Sequence, residues 1–452
     1  SPFAGAATGA GGEIRDEAAT GKGAKTKAGM VGFAVSNLDL PHLTWEQDIP
    51  YPSHIASARE IMLQGPIGAA AFNNEFGRPN LCGFFRTLAD NIDPNTSYGY
   101  HKPLMIAGGL GRVTPEAVLK TQASHNAKLV VLGGPAMLIG LGGGAASSVT
   151  AGTLAQELDF ASVQRHNPEM QRRCQEVIDA CWQLGTDNPI AFIHDVGAGG
   201  IANALSELIE DNNAGAKINL RAVLSADSAM SPKELWCNEA QERYALAVEP
   251  ENLDKFIELC GRERCPFALV GDLTSEKQLV LADAAAQNDE HAKPVDIPMQ
   301  LLFGETPKMQ LNVASSSADA SKDLIITEQL ADIATKVLQL PAVASKAFLI
   351  TIGDRSITGQ VAQEQMIGPW QVPVADCAIT ITDYNSYTGE AMAVAEKLSI
   401  ATLDAPASGR MAIGEMLTNL ASADIAKLSD IKLSANWMSA MASDKDAIDL
   451  YA

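Results

Sequence analysis

A chain of 452 residues is long enough for two or three domains, each with its own core. Its 54 acidic residues against 33 basic ones give a net charge of −21, which argues against nucleic acid as a partner, because phosphate backbones need a basic stripe. No apolar run reaches the roughly 18 residues that cross a bilayer, and no basic region followed by an apolar stretch marks a secretory leader.

In chain order, residues 1–28 are rich in Gly, Ala and Thr and read as mostly loop. Alternating apolar residues predict a strand over Val31–Leu38. Residues 42–60, with Pro and polar residues, read as a connection. An apolar run at Leu104–Ala107 closes on Gly108-Gly109, and a helical stretch is expected near Thr114–Ser124. Leu129–Leu132 predicts a short strand that runs into GGPAMLIGLGGGAASS, Gly133 to Ser148. Asn167-Pro168-Glu169 is a helix start, with Asn as cap and Pro at the first helical position. Met170, Cys174, Val177, Ile178 and Cys181 then form one apolar stripe, and Gly185 stops the helix. Ile190–Ile193 is the next strand, with His194-Asp195 at its C-terminal end. Gly197-Ala198-Gly199-Gly200 opens a helix over Ile201–Ile209. Residues 313–323, small and polar, read as a linker. A helix near Thr327–Leu338, a strand at Phe348–Ile352, a strand over Val374–Thr382 and a helix near Ser408–Leu420 complete the pass. The seven cysteines are scattered, without CxxC or zinc spacing, and suggest buried thiols in a reducing cytoplasm.

Five segments carry candidate chemistry. In GAATGAGGEIRDE, Gly5 to Glu17, glycines let a backbone approach an anion, while Arg15 and Asp16 offer a phosphate fork beside a Mg²⁺ ligand. A flexible loop with an incidental charge pair is the bland alternative. The Gly133–Ser148 loop lacks the Lys of a Walker loop, and tight backbone packing explains it as well as a ligand does. Asp195, at a strand end before a glycine turn and a helix, suits a metal, and His194 suits a hydrogen-bonded strand end. Asn238-Glu239-Ala240-Gln241-Glu242-Arg243 places polar residues just before the apolar run Tyr244–Val248, as a substrate reader or a solvated turn. Glu415 and Asn419, four apart on a helix, lie opposite a stripe of Ile413, Met416, Leu417 and Leu420. That face is either exposed surface or, with Asp376, a cluster of oxygen ligands facing an inter-domain cleft.

Together with NNEFGRP (Asn73–Pro79), DFASVQRHNPEM (Asp159–Met170), GDRSITG (Gly353–Gly359), GPWQVPVADCAIT (Gly368–Thr380), GEMLTNL and KLSANWM (Lys432–Met438), these segments resemble the large, single-chain phosphoribosylformylglycinamidine synthases. The resemblance implies an α/β (α+β) fold of aminoimidazole ribonucleotide synthetase-like A and B domains, duplicated in the parent protein. Residues 1–125 would be the later part of a first A domain, 126–312 a first B domain, and 324–452 a second A domain. It implies ATP- and Mg²⁺-dependent amidation of formylglycinamide ribonucleotide, with ammonia from a glutaminase domain of the same parent chain. Nucleotide contacts are implied at Gly5, Ala6, Ala7, Thr8, Gly9, Ala10, Gly11, Gly12, Glu13, Ile14, Arg15, Asp16 and Ala375. Substrate contacts are implied at Arg15, Gln164, Glu239, Ala240 and Gln241. Mg²⁺ ligands are implied at Asp16 and Asp195, and at Asp376, Glu415 and Asn419 around a second site that holds ADP. Ala240 stands where many relatives have Ser, so a hydroxyl contact is lost there. The chain reads as an internal piece of the parent. The family's T-H-N-H-P motif, second B domain and glutaminase lie outside this sequence. It is therefore expected not to turn over alone, and none of its cysteines is the family's nucleophile.

Overall fold

The computed structural model describes the chain except residues 44–45, 47–48, 54, 94–95, 142–166, 287–291, 305–307, 309–324, 354, 440–443 and 452. The opening segment is a helix, α1 (Pro2–Ala18), and not the loop its glycines suggested. Ala6, Ala7, Ala10, Ile14 and Ala18 recur at helical intervals and are all buried. Gly11, between them, admits a second helix at close range. This is α2 (Ala58–Glu75), capped by the Ser57 side chain. A Cβ at Gly11 would stand 2.5 Å from the Phe72 ring, and one at Gly68 would stand 2.1 Å from the Phe3 carbonyl oxygen. Backbone cannot rotate out of the way as a side chain can. Gly68→Val should therefore lower stability by about 1–3 kcal/mol, seen as a lower urea midpoint at constant slope. An unchanged midpoint would show that the helices separate without cost.

Both helices cover a three-stranded sheet of order β2-β1-β5: β1 (Lys25–Val35), β2 (Asn80–Thr87) and β5 (Leu104–Arg112). β1 pairs parallel with β2 and antiparallel with β5. It begins six residues before the predicted strand at Val31, since Lys25–Met30 alternate poorly but still pair. β3 (Ala89–Asp93) and β4 (Thr96–Gly99) form a separate two-stranded ribbon. The helix expected near Thr114–Ser124 is only one 3₁₀ turn, Pro115–Ala117. No further apolar period sustains it.

The next unit is a seven-stranded sheet of order β12-β11-β8-β10-β6-β9-β7. Its strands are β6 (Lys128–Gly133), β7 (Ile190–Asp195), β8 (Gly215–Asn219), β9 (Arg243–Val248), β10 (Phe267–Thr274), β11 (Gln278–Ala282) and β12 (Val295–Pro298). Helices are α3 (Pro168–Trp182), α4 (Gly200–Asp211), α5 (Pro232–Cys237), α6 (Leu253–Arg262) and α7 (Met299–Phe303). The two-residue period of β6 and β9 sorts side chains to opposite faces. Leu129, Val131, Ala245 and Ala247 join Ile201, Leu205 and Leu208 of α4 in one core. Val130, Leu132, Tyr244 and Leu246 join Cys174, Ile178 and Cys181 of α3 and Phe256 of α6 in the other. The Asn167 cap forms as expected, accepting from the Met170 N–H.

The third unit holds α8 (Leu330–Gln339), α9 (Ala347–Thr351), the sheet β13 (Val361–Gln363), β14 (Ala378–Ile381) and β15 (Gly389–Met392), then α10 (Leu398–Ala401), α11 (Ala405–Leu420) and α12 (Asp444–Tyr451). The strand expected at Phe348–Ile352 is the helix α9. A short apolar run fits either period, and here Leu349 turns toward the α1–α2 core. On α11, Asp404 caps by accepting from the Ala407 N–H. Met416 and Leu420 are buried, but Ile413 and Leu417 are 44 % and 38 % exposed. The covered side is thus rotated toward Glu415 and Asn419, which are half-buried beside Met416 and not opposite it. Lys27 of β1 reaches into this unit, 2.6 Å from Glu390 of β15. The seven cysteines are all free, five of them buried. The predicted linker 313–323 lies outside the described residues.

Candidate functional site

The helix α1 meets the edge of the seven-stranded sheet, and that meeting gathers four of the predicted residues. Arg15 is 1 % exposed. Its Nη1 donates to Gln171 Oε1 of α3 at 2.6 Å, and its Nη2 donates to Gln241 Oε1 just before β9. Both acceptors are neutral amides, and among the described residues no carboxylate lies within ion-pair distance of this guanidinium. It is oriented without being neutralised. Gln171 is itself held, its Nε2 donating to the Gly11 carbonyl at 2.9 Å.

Next to Arg15, Asp16 turns to the Asp195 carboxyl at the end of β7, within hydrogen-bonding reach. Burial first and the facing Asp195 second hold Asp16 up to about 6, against the pull of Arg15. Two acidic groups pressed together fit a hard dication, which would replace their repulsion with attraction. Among the described residues no three His, Cys, Asp or Glu side chains converge as a metal centre. Mg²⁺ commonly takes only one or two carboxylates, with phosphate and water completing its shell. His194 stands behind: Nδ1 lies 2.8 Å from the Asp195 carbonyl and Nε2 lies 2.9 Å from Glu207.

The Asn238–Arg243 segment is buried, not a solvated turn. Arg243 staples it, Nε donating to the Ala240 carbonyl at 2.6 Å and Nη2 to Asn238 Oδ1 at 3.0 Å. Gly200, at φ 66°, lets α4 start against it, because a Cβ there would lie 2.0 Å from the Asn238 carbonyl. The Glu239 N–H donates to Ile139 at 2.8 Å, so the described start of the glycine-rich loop packs on this segment. Ala240 is fully buried, with its N–H directed to Asn238 Oδ1. Gln164 and residues 142–148 of the loop lie outside the described residues.

The glycine-rich segment is the largest departure in local geometry. Within α1, the amides that were to approach an anion are helical and point along the axis. Only the exposed rim of Gly5–Gly12 and the side chains after it remain available. Glu13 and Glu17 pair with Arg78, at 2.7 and 2.8 Å.

Ala375, Asp376, Glu415 and Asn419 meet elsewhere, on the wall of one cavity of about 440 Å³ between β2 and the third unit. Glu415 is paired with Lys397 at 2.5 Å. Asn419 Nδ2 donates to the Val394 carbonyl at 3.3 Å, which leaves its oxygen for a ligand. This donor set is also hard and oxygen-rich, and it fits Mg²⁺ held jointly with a phosphate. Arg86 and Lys346 line the same cavity.

Gln171, Glu207 as the partner of the strand-end His194, and the Arg78 network belong to these surroundings without having been read from the sequence as such. Gln171 had a signal: a polar residue at the buried spacing of Cys174 and Ile178. Arg78 had only its place in NNEFGRP.

Residues 126–284 match the family model described as AIR synthase related protein, C-terminal domain. Residues 345–452 match the one described as FGAR-AT PurM_N-like domain. Among solved structures, the chain is similar to PurLQS from Thermotoga maritima, with a TM-score of 0.64 at 19 % identity, over 94 % of this chain and 58 % of that one. It is similar to T. maritima PurL complexed with FGAR, at 0.62 and 19 %, over 93 % and 59 %. T. maritima PurL complexed with ATP gives 0.59 and 18 %, over 93 % and 57 %. The chain thus spans less than two thirds of these relatives' length, and at such identity the likeness is one of fold. That fold is mixed α/β, built of AIR synthase-like domains of both the N-terminal and the C-terminal type.

Proposed function

We propose that the chain forms part of the synthase core of a phosphoribosylformylglycinamidine synthase. The observation that carries this reading is the meeting of Arg15 and Asp16 with Asp195 and Gln241 across two units. That arrangement offers a fixed, unneutralised cation beside a carboxylate pair. The similar T. maritima PurL, solved with FGAR and with ATP, supports the choice of substrates. In this reading Arg15 holds an anionic group of formylglycinamide ribonucleotide, and Gln171 and Gln241 fix its plane. Asp16 and Asp195 would hold Mg²⁺, which would supply charge neutralisation for transfer of the γ-phosphoryl to the amide oxygen. Ammonia from a glutaminase domain of the same parent chain then displaces phosphate from the carbon. Glu239, Ala240, Gln241 and Gln164 complete the substrate side. Residues 1–125, 126–312 and 324–452 act as A, B and second A domains of a cytoplasmic enzyme.

The cavity beside Asp376 is proposed as a second nucleotide site, with Mg²⁺ held by Asp376, Glu415 and Asn419 and the nucleotide passing Ala375. Calorimetric titration with ADP and MgCl₂ tests it. Asp376→Asn with Glu415→Gln should weaken ADP by about tenfold or more, since charge-assisted contacts are each worth about 1.5–3 kcal/mol. Unchanged affinity would remove the cavity from the nucleotide reading.

A further inference from the structure

The part of the cavity wall that carries Lys346 and Arg86 has a chemistry of its own. Lys346 is half-buried there, and its Nζ donates to the Ala344 carbonyl at 2.5 Å. Among the described residues no carboxylate stands within ion-pair distance of it. Arg86 shares that wall, its Nη1 donating to the Ala342 carbonyl at 2.8 Å and its Nε engaged by Glu396. A lysine without a counter-ion, beside a guanidinium, inside a space of about 440 Å³, is expensive as an ammonium and available as an amine.

We propose that Lys346 is a covalent capture site for small phosphorylated aldehydes, with Arg86 receiving the phosphate and the Lys346 amine taking the carbonyl carbon. The other charged groups on the cavity wall are Glu396, Asp376 and Glu415. Burial first and Arg86 second bring the Lys346 amine down to about 8, so a useful fraction is neutral near pH 7.5. The nitrogen lone pair attacks the carbonyl carbon, a C–N bond forms and the C=O π bond breaks. The carbinolamine then loses water: its hydroxyl leaves with the second amine proton, and an imine remains. No electrons are exchanged with an outside reagent. The proposal does not depend on nucleotide or metal binding in the cavity, so failure of that reading leaves this one standing.

Pyridoxal 5′-phosphate is the probe. The folded chain is treated at pH 7.5 with a limiting amount, reduced with borohydride, and mapped by peptide mass spectrometry. Lys346 should be labelled first, at least about fivefold faster than exposed Lys233 and Lys255, and pyridoxal without its phosphate should label it several-fold more slowly. Lys346→Arg should remove that adduct with an unchanged melting temperature, and Arg86→Gln should slow it. Labelling in proportion to exposure, with no preference for Lys346, overturns the proposal without any variant. Equal labelling by pyridoxal overturns the phosphate role of Arg86.

Discussion

On the proposed reading, asparagine in place of Asp195 should reduce substrate-dependent ADP formation by on the order of 10²-fold or more, while the melting temperature holds or rises. The two halves of this result have one cause. In the free protein Asp195 pushes against Asp16 and is a burden on folding. In the working site the same pair would attract a dication. An amide is isosteric and neutral, so it lifts the repulsion and weakens the ion's seat together. Steady-state assay with formylglycinamide ribonucleotide, ATP, Mg²⁺ and ammonium, beside a thermal melt, reads both. Loss of melting temperature with intact specific activity would make Asp195 a structural residue. Full activity and an unchanged Mg²⁺ requirement would remove the metal from this position.

Alanine in place of Arg78 should cost about 3–5 kcal/mol of stability. The guanidinium is 1 % exposed and binds Glu13, Glu17 and Asn73 at 2.7–2.8 Å. Without it two carboxyls remain in the core with no cation. Burial already raises both, Glu17 to about 7, with Arg78 pulling the other way. Between the ordinary 4.5 and about 7, the folded chain therefore holds protons that the unfolded chain has released. This contribution is fully present below that window and is lost as pH rises through it. Arg78→Ala should steepen the loss, so its deficit in urea melts should be larger at pH 8 than at pH 5.5. Adding Glu17→Gln should restore part of it. A variant as stable as the parent at pH 8 would show that water already reaches the network.

The parts of the fold that followed a clean period were readable. Cys174, Val177, Ile178 and Cys181 announced α3, and the short apolar run at Leu129–Leu132 announced β6. The α1 segment was misread because glycine count outweighed the four-residue ladder Ala6, Ala10, Ile14, Ala18. Gly11 serves helix–helix contact against Phe72 and Gly9 serves contact with Met105 of β5, and neither contact has a local signature. The stripe on α11 was misplaced for a related reason. Apolar Ile413 and Leu417 were assumed to point inward, whereas half-buried Glu415 and Asn419 share the covered side with Met416. The residue types at the site were legible as motifs. That Arg15 and Asp16 would share a site with Asp195 and Gln241 followed from the family resemblance and not from any local pattern, and Gln171 was missed, because the partners lie 156 and 226 residues from Arg15 and only the fold joins them.

One turn of α1 serves two different neighbours: Glu13 and Glu17 answer to Arg78, while Arg15 and Asp16 answer to the far sheet. A helix turns about 100° for each residue, so no small screw motion of α1 improves one set of contacts without disturbing the other. The helix is clocked by its own interior. Insertion or deletion of a single residue before Glu13 leaves the composition of this turn intact, but it forces the upstream Gly9–Gly11 packing out of phase with the two charged sets. The spacing between Gly9 and Gly11, which meet β5 and α2, and the Arg15–Asp16 pair is therefore as much a part of the site as the side chains that line it.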